Sequence, residues 1–275
     1  MLELPAPLER EWLWSALESV LARRGEAALI EAPLVLPSDR FFPDRFTPDE
    51  RGVAVLAERL LGYAGLDHLE VSVELYEEDV HVQELGLDGR AAKWSHDGAA
   101  AWFAGIQRGT CLFGARRDGL GDPLGLVASM AHEVAHAFRR SHRLEHENRD
   151  HEEKLTDVTT VYLGFGVLTT ATTARYETHV HGNTGSAYSH KRQGYLAPGA
   201  MSFLLATQLV MRGYDARTIR WYAKHLPANQ RALVLAATKE IDRARVADVL
   251  GYDSVPPPQP SPLPPATWWQ RLLGM

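Results

Sequence analysis

The sequence predicts an α+β fold, and three observations carry that reading. Between Leu69 and Ala115, apolar residues recur with period two in short runs parted by Gly and Asp. On either side of that stretch they recur at helical spacing, behind Thr and Asp caps with Pro at first helical positions. With 275 residues, 45% of them hydrophobic, the chain is long enough to bury a large core. The expected architecture is a small mixed or antiparallel sheet beside buried helices, with a helical C-terminal half.

Taken in order, residues 7–24 read as an amphipathic helix carrying Leu8, Trp12, Leu13, Ala16, Leu17, Val20 and Leu21 on its apolar face. A short apolar strand is expected at 28–36, then a turn-rich stretch with tucked-in aromatics at 37–46. Thr47 is expected to cap a second helix reaching about Ala64, with Pro48 first and Glu50 closing a capping box. Strands follow at 69–75, 80–85, 91–95, 99–106 and 110–115. Asp122 and Pro123 then open a helix of small apolar residues. A charged stretch over 139–150 reads as a solvated loop, so His142, His146 and His151 are expected to face water. A buried helix is expected at 152–170 and further helices at 197–212, 216–225 and 228–250, with a long polar loop at 173–195.

Residues 1–252 are expected to form one domain, its N-terminal α/β part over about 1–120 and its helical part over about 121–252. A stiff Pro-rich linker follows at 253–266, and residues 267–275 form a tail bearing Trp268 and Trp269. The tail is expected to be disordered. Two adjacent indoles are costly in water, so docking on its own domain, a second subunit or a partner is the competing expectation.

The net charge of -6, with dispersed basic residues, gives no reason to expect nucleic acid as a partner. Cys111 is the single cysteine, which excludes a disulfide framework and a thiolate metal site. No apolar run approaches the length of a membrane span, and the N-terminus lacks the pattern of a signal peptide. A cytoplasmic protein with no membrane partner is expected.

Chemistry enters at His132-Glu133-x-x-His136, within the helix that Asp122 opens. On a helix, positions i and i+4 lie about 40° apart around the axis and about 6 Å apart along it. Both imidazoles can hold one metal ion there, with Glu133 beside it as a general base. The competing reading, two core histidines, requires each ring to find a buried partner. Catalytic zinc takes a third protein ligand. Glu153 and Asp157, spaced i, i+4 on the next helix, are the candidates. Glu153 is assigned to the metal, and Asp157 to a hydrogen bond on the far nitrogen of a ligand imidazole. The reverse assignment stays open. An ordinary acidic helix start explains Glu152 and Glu153 but not Asp157, which sits a turn further in among apolar residues.

HExxH followed by a helix bearing Glu-x-x-(small)-Asp resembles the gluzincin metallopeptidases, with their zincin-like fold. The likeness spans roughly residues 108–165. Leu155-Thr-Asp-Val-Thr-Thr-Val-Tyr-Leu-Gly-Phe-Gly166, with Arg192-Gln-Gly-Tyr195 downstream, is also similar to an uncharacterised family of bacterial predicted metallopeptidases. The resemblance implies one zinc per chain on His132, His136 and Glu153, Glu133 as general base, and Asp157 orienting a ligand histidine. It also implies an edge strand before the metal helix on which substrate backbone adds. Thr110, Leu112 and Gly114 are similar to it in position.

The expected reaction is hydrolysis of a peptide or protein substrate by metal-activated water, with Glu133 moving the proton. The tetrahedral oxyanion needs a donor. In the 173–195 loop, which also carries His179, His181 and Tyr188, Tyr195 is the favoured donor, backed by His190 and Arg192. Two alternatives stand beside this reading. One is a metal-dependent hydrolase acting on other amides or esters; the other is a catalytically silent regulatory or binding protein that keeps the fold.

Overall fold

The structure, a computed structural model, describes residues 3–77, 81–85, 91–95, 100–180 and 196–251; within it, 81–85, 91–95 and 174–180 are described by backbone alone. Among the described residues it is a mixed α and β fold with ten helices and a small three-stranded mixed sheet.

Helix α1 (Pro7–Arg24) starts on Pro7, ends on Gly25 at φ 77°, and buries Leu13, Leu17 and Val20. Leu8 does not join that face and stays 84% exposed. Where a strand was expected over 28–36, the chain forms the short helix α2 (Ala27–Glu31) and then runs extended. Pro33 prevents the helix from continuing, and Val35 N–H pairs with the Gly164 carbonyl rather than with a strand. Helix α3 (Glu50–Tyr63) is capped by Asp49, whose carboxylate accepts from Gly52 N–H at 2.8 Å. Thr47, the expected cap, donates instead to Asp49.

The strands are β1 (Glu70–Tyr76), β2 (His81–Leu85), β3 (Ala91–Ser95), β4 (Ala101–Gln107) and β5 (Thr110–Arg116). Strand β5 lies in the middle of the sheet, parallel to β1 and antiparallel to β4; β2 and β3 form a separate antiparallel pair. This corrects the expectation that Thr110, Leu112 and Gly114 sit on an edge. Their strand is hydrogen-bonded on both sides and has no backbone left for a substrate. The two edges of the described sheet are β1 and β4, and β4 is bulged between Phe103 and Gly105. Gly114 is required by its neighbour, since a Cβ there would meet the Trp102 indole at 2.1 Å.

Helix α4 (Pro123–Ser141) is the centre of the molecule. Asp122 caps it through Gly125 N–H at 3.2 Å, as the sequence indicates. It packs against β4 on one side and against α3, α5 (Arg149–Tyr162) and α6 (Gly166–Val180) on the others. The single helix expected over 152–170 is broken at Leu163–Phe165, where Gly164 adopts φ 87° against the Pro33 carbonyl. Helix α7 (Pro198–Met211) is buried along all 14 of its residues, between α6 and α9 (Ala228–Ala237). Helices α8 (Ala216–Ala223) and α10 (Arg243–Val249) complete the fold. The continuous helix expected over 228–250 divides at 238–242, where Asp242 caps α10. The linker and tail, 253–275, lie outside the described residues.

No helix among the described residues is long and apolar enough to cross a membrane. Cys111 is fully buried and its thiol is pushed up to about 12 by that burial, so it is an inert packing residue.

Candidate metal centre

His132 and His136 lie one turn apart on the face of α4 that meets α5. Helix α5 presents Glu153 opposite them, after Asn148 caps its first turn by accepting from His151 N–H at 2.9 Å. Glu153 Oε2 is 3.1 Å from His132 Nε2 and 3.3 Å from His136 Nε2. Each of the three residues offers one ligand atom, and these atoms lie within 4.8 Å of one another, so the group could hold a metal ion. Two imidazole nitrogens and one carboxylate oxygen are a donor set that suits a divalent transition ion. Glu133, on the turn between the histidines, is 8% exposed, and its Oε2 accepts the Phe103 N–H at 2.7 Å. The Glu133 carboxylate is thereby tied to β4.

Asp157 occupies a different place from Glu153. Its Oδ1 is 2.9 Å from His132 Nδ1, and its Oδ2 accepts the Leu196 N–H at 2.9 Å. Of the two carboxylates, only Glu153 faces the Nε2 atoms.

Burial by itself would lower both histidines. Hydrogen bonds with Asp157 and Glu153 hold His132 well above the ordinary histidine value, and the Glu153 carboxylate raises His136. Burial would raise Glu153, but the charge of His136 and hydrogen bonds from both imidazoles hold it well below the usual carboxylate range. Without a metal the cluster is a proton-sharing ion triad. A metal ion would take the place of those protons.

Several supporting residues were missed in the sequence. Arg139, expected in a solvated loop, is 2% exposed near the end of α4. Its Nε and Nη2 donate to the two oxygens of Glu152 at 2.6 and 2.8 Å, and Nη2 also reaches the Leu144 carbonyl. Glu152 is thus half of a buried clamp between α4 and α5 rather than a plain acidic helix start. Thr156, fully buried, stands behind His136, its Oγ1 3.2 Å from Nδ1. The fork of Arg with Glu in a charged stretch was a readable signal. Thr156 and Phe103 gave none, because their roles depend on how α5 and β4 lie against α4. The histidines expected in water divide. His142 packs on Phe138 at 4.2 Å between ring centroids and His151 on Trp12 at 5.6 Å, while His146 is exposed.

The expected oxyanion residues Tyr195, His190 and Arg192 lie outside the described residues, as do the side chains of His179, His181 and Tyr188. The chain is next described at Leu196, in contact with Asp157.

Comparison of the chain with protein-family models, curated proteins and solved structures finds no match.

Proposed function

We propose that this protein is a zinc-dependent peptidase of gluzincin type and zincin-like fold, holding one zinc ion per chain and hydrolysing peptide bonds. One observation carries the reading: two Nε2 atoms and one carboxylate oxygen converge from α4 and α5, within reach of the Glu133 charge.

In this reading His132, His136 and Glu153 hold the ion, and Asp157 anchors His132 from behind. Zinc, when bound, supplies Lewis-acid polarisation of a scissile carbonyl and a water of lowered pKa. Glu133 accepts the proton of the attacking water on its carboxylate and returns it to the leaving amine. The Phe103 N–H fixes the rotation of that carboxylate. Tyr195, with His190 and Arg192, is the proposed source of the oxyanion donor.

The test compares zinc-loaded wild type with Glu133→Gln on a denatured protein. Wild type should cleave it, and the variant should keep its zinc but cleave roughly 10²–10⁴-fold more slowly. A zinc-loaded wild type that leaves peptides intact yet hydrolyses other amides or esters would move the protein to a different hydrolase class. If it hydrolyses neither, a regulatory or binding role stands.

A further inference from the structure

The two ligand imidazoles are supported by unlike groups. His132 rests on a carboxylate, whereas His136 Nδ1 has one hydrogen-bond contact among the described residues, the 3.2 Å to Thr156 Oγ1, with the Glu152 carboxylate standing off at 4.0 Å and held by Arg139. That same oxygen lies 2.9 Å from the Glu152 carbonyl one helical turn back. A carbonyl can only accept, and a threonine hydroxyl has a single proton to give. The hydroxyl proton therefore belongs to the Glu152 carbonyl, and the contact with the ring is made by His136 Nδ1–H donating to Oγ1. A neutral ring that carries its proton on Nδ1 has its lone pair on Nε2, the nitrogen 3.3 Å from Glu153 Oε2. Asp157 does the same for His132, since an ionised carboxylate only accepts.

We propose that Thr156 is a positioning residue of the metal centre: its hydroxyl, oriented by the Glu152 carbonyl, holds His136 in the Nδ1–H tautomer with Nε2 aimed at the ion. This rests on the metal-binding reading above and extends it to a residue outside the ligand set. The plain competing account is that Thr156 only bonds back onto its own helix, as Thr159 does to Leu155 at 2.7 Å. Thr159, however, has no ring nitrogen at hydrogen-bond distance among the described residues, its neighbour being the Arg139 guanidinium. The two accounts diverge in what a valine should do. Valine keeps the branched shape and removes both hydrogen bonds. If the hydroxyl serves the helix alone, metal binding is untouched. If it orients His136, the ring loses its tautomer lock and affinity falls.

The experiment uses full-length protein loaded with cobalt(II), comparing wild type, Thr156→Val and Thr156→Ser. Wild type should show two strongly shifted, solvent-exchangeable N–H resonances, one from each ligand imidazole. Thr156→Val should lose or rapidly exchange one of them and bind the ion roughly 10–100-fold more weakly in a chelator competition. Thr156→Ser, which restores the hydroxyl, should recover both the resonance and the affinity. Melting curves of the metal-free proteins establish that each variant is folded, and Thr156→Ala takes the place of the valine variant if that one is not. A folded variant without the hydroxyl that keeps both resonances and wild-type affinity overturns the role of Thr156 while leaving the metal centre intact. A wild type that takes up no cobalt overturns the metal centre itself, and Thr156 with it.

Discussion

Glu153 and Asp157 stand one turn apart on the same helix and act on opposite sides of one imidazole, Glu153 at Nε2 and Asp157 at Nδ1 of His132. Removing a ligand and removing its support should therefore differ in degree. Asp157→Asn keeps the shape but loses the charge, and metal affinity measured by chelator competition should fall roughly 10–100-fold. Proton linkage gives a second expectation at this scale. His132 is raised in the folded, metal-free protein, so its stabilisation is fully present below the ordinary value of 6.5 and is lost as pH climbs through the raised one. Glu153 is lowered, so its stabilisation is present above the ordinary value of 4.5 and is lost as pH falls through the lowered one. The metal-free protein should accordingly lose melting temperature on the alkaline side as the triad discharges. Metal uptake should release protons near neutral pH and tighten as pH rises, which calorimetry in buffers of different ionisation enthalpy measures directly.

At the scale of elements, the site depends on how α4 and α5 are held together. The Arg139–Glu152 clamp lies one turn beyond His136 and joins the two helices, with the guanidinium buried and the carboxylate partly buried. Arg139→Leu leaves the Glu152 carboxylate without its cation, the His146 N–H being its remaining hydrogen bond among the described residues, and should cost about 3–5 kcal/mol in denaturant unfolding, whereas Arg139→Leu with Glu152→Leu should recover part of it. The α5–α6 break is the other controlled junction. Gly164 sits at φ 87°, and a Cβ there would meet the Pro33 carbonyl at 2.3 Å. Gly164→Ala should therefore destabilise by about 1–3 kcal/mol, readable in the same unfolding curves. Metal affinity per folded molecule should change little, because the ligands lie in the earlier turns of α5.

Over the whole molecule, what could be read from the sequence follows from how far each inference had to reach. His132 and His136 are one turn apart on one helix, so spacing alone placed them on one face, with Glu133 a residue further round toward β4. Glu153 and Asp157 needed only the further assumption that the next helix packs back against the first, which α4 and α5 do. Strand order required more. Thr110–Ala115 precedes α4 in the chain, but nothing in a sequence says that β1 and β4 flank it, so an edge was expected where the centre lies. The helix breaks at 163–165 and 238–242 were hidden for a related reason. Apolar spacing continues across both, and only the pairing of Gly164 with the 33–35 segment and the capping of α10 by Asp242 end the helices. Thr156 was hidden because threonine reads as helix filler until the histidine beside it is known. The central claim, a metal held by His132, His136 and Glu153, is most directly tested by metal content per chain in protein purified without chelators. Wild type should carry about one zinc, Glu153→Ala almost none, and Asp157→Ala a reduced but measurable share. No metal in wild type after zinc is added back, or loss in Asp157→Ala but not in Glu153→Ala, would contradict it.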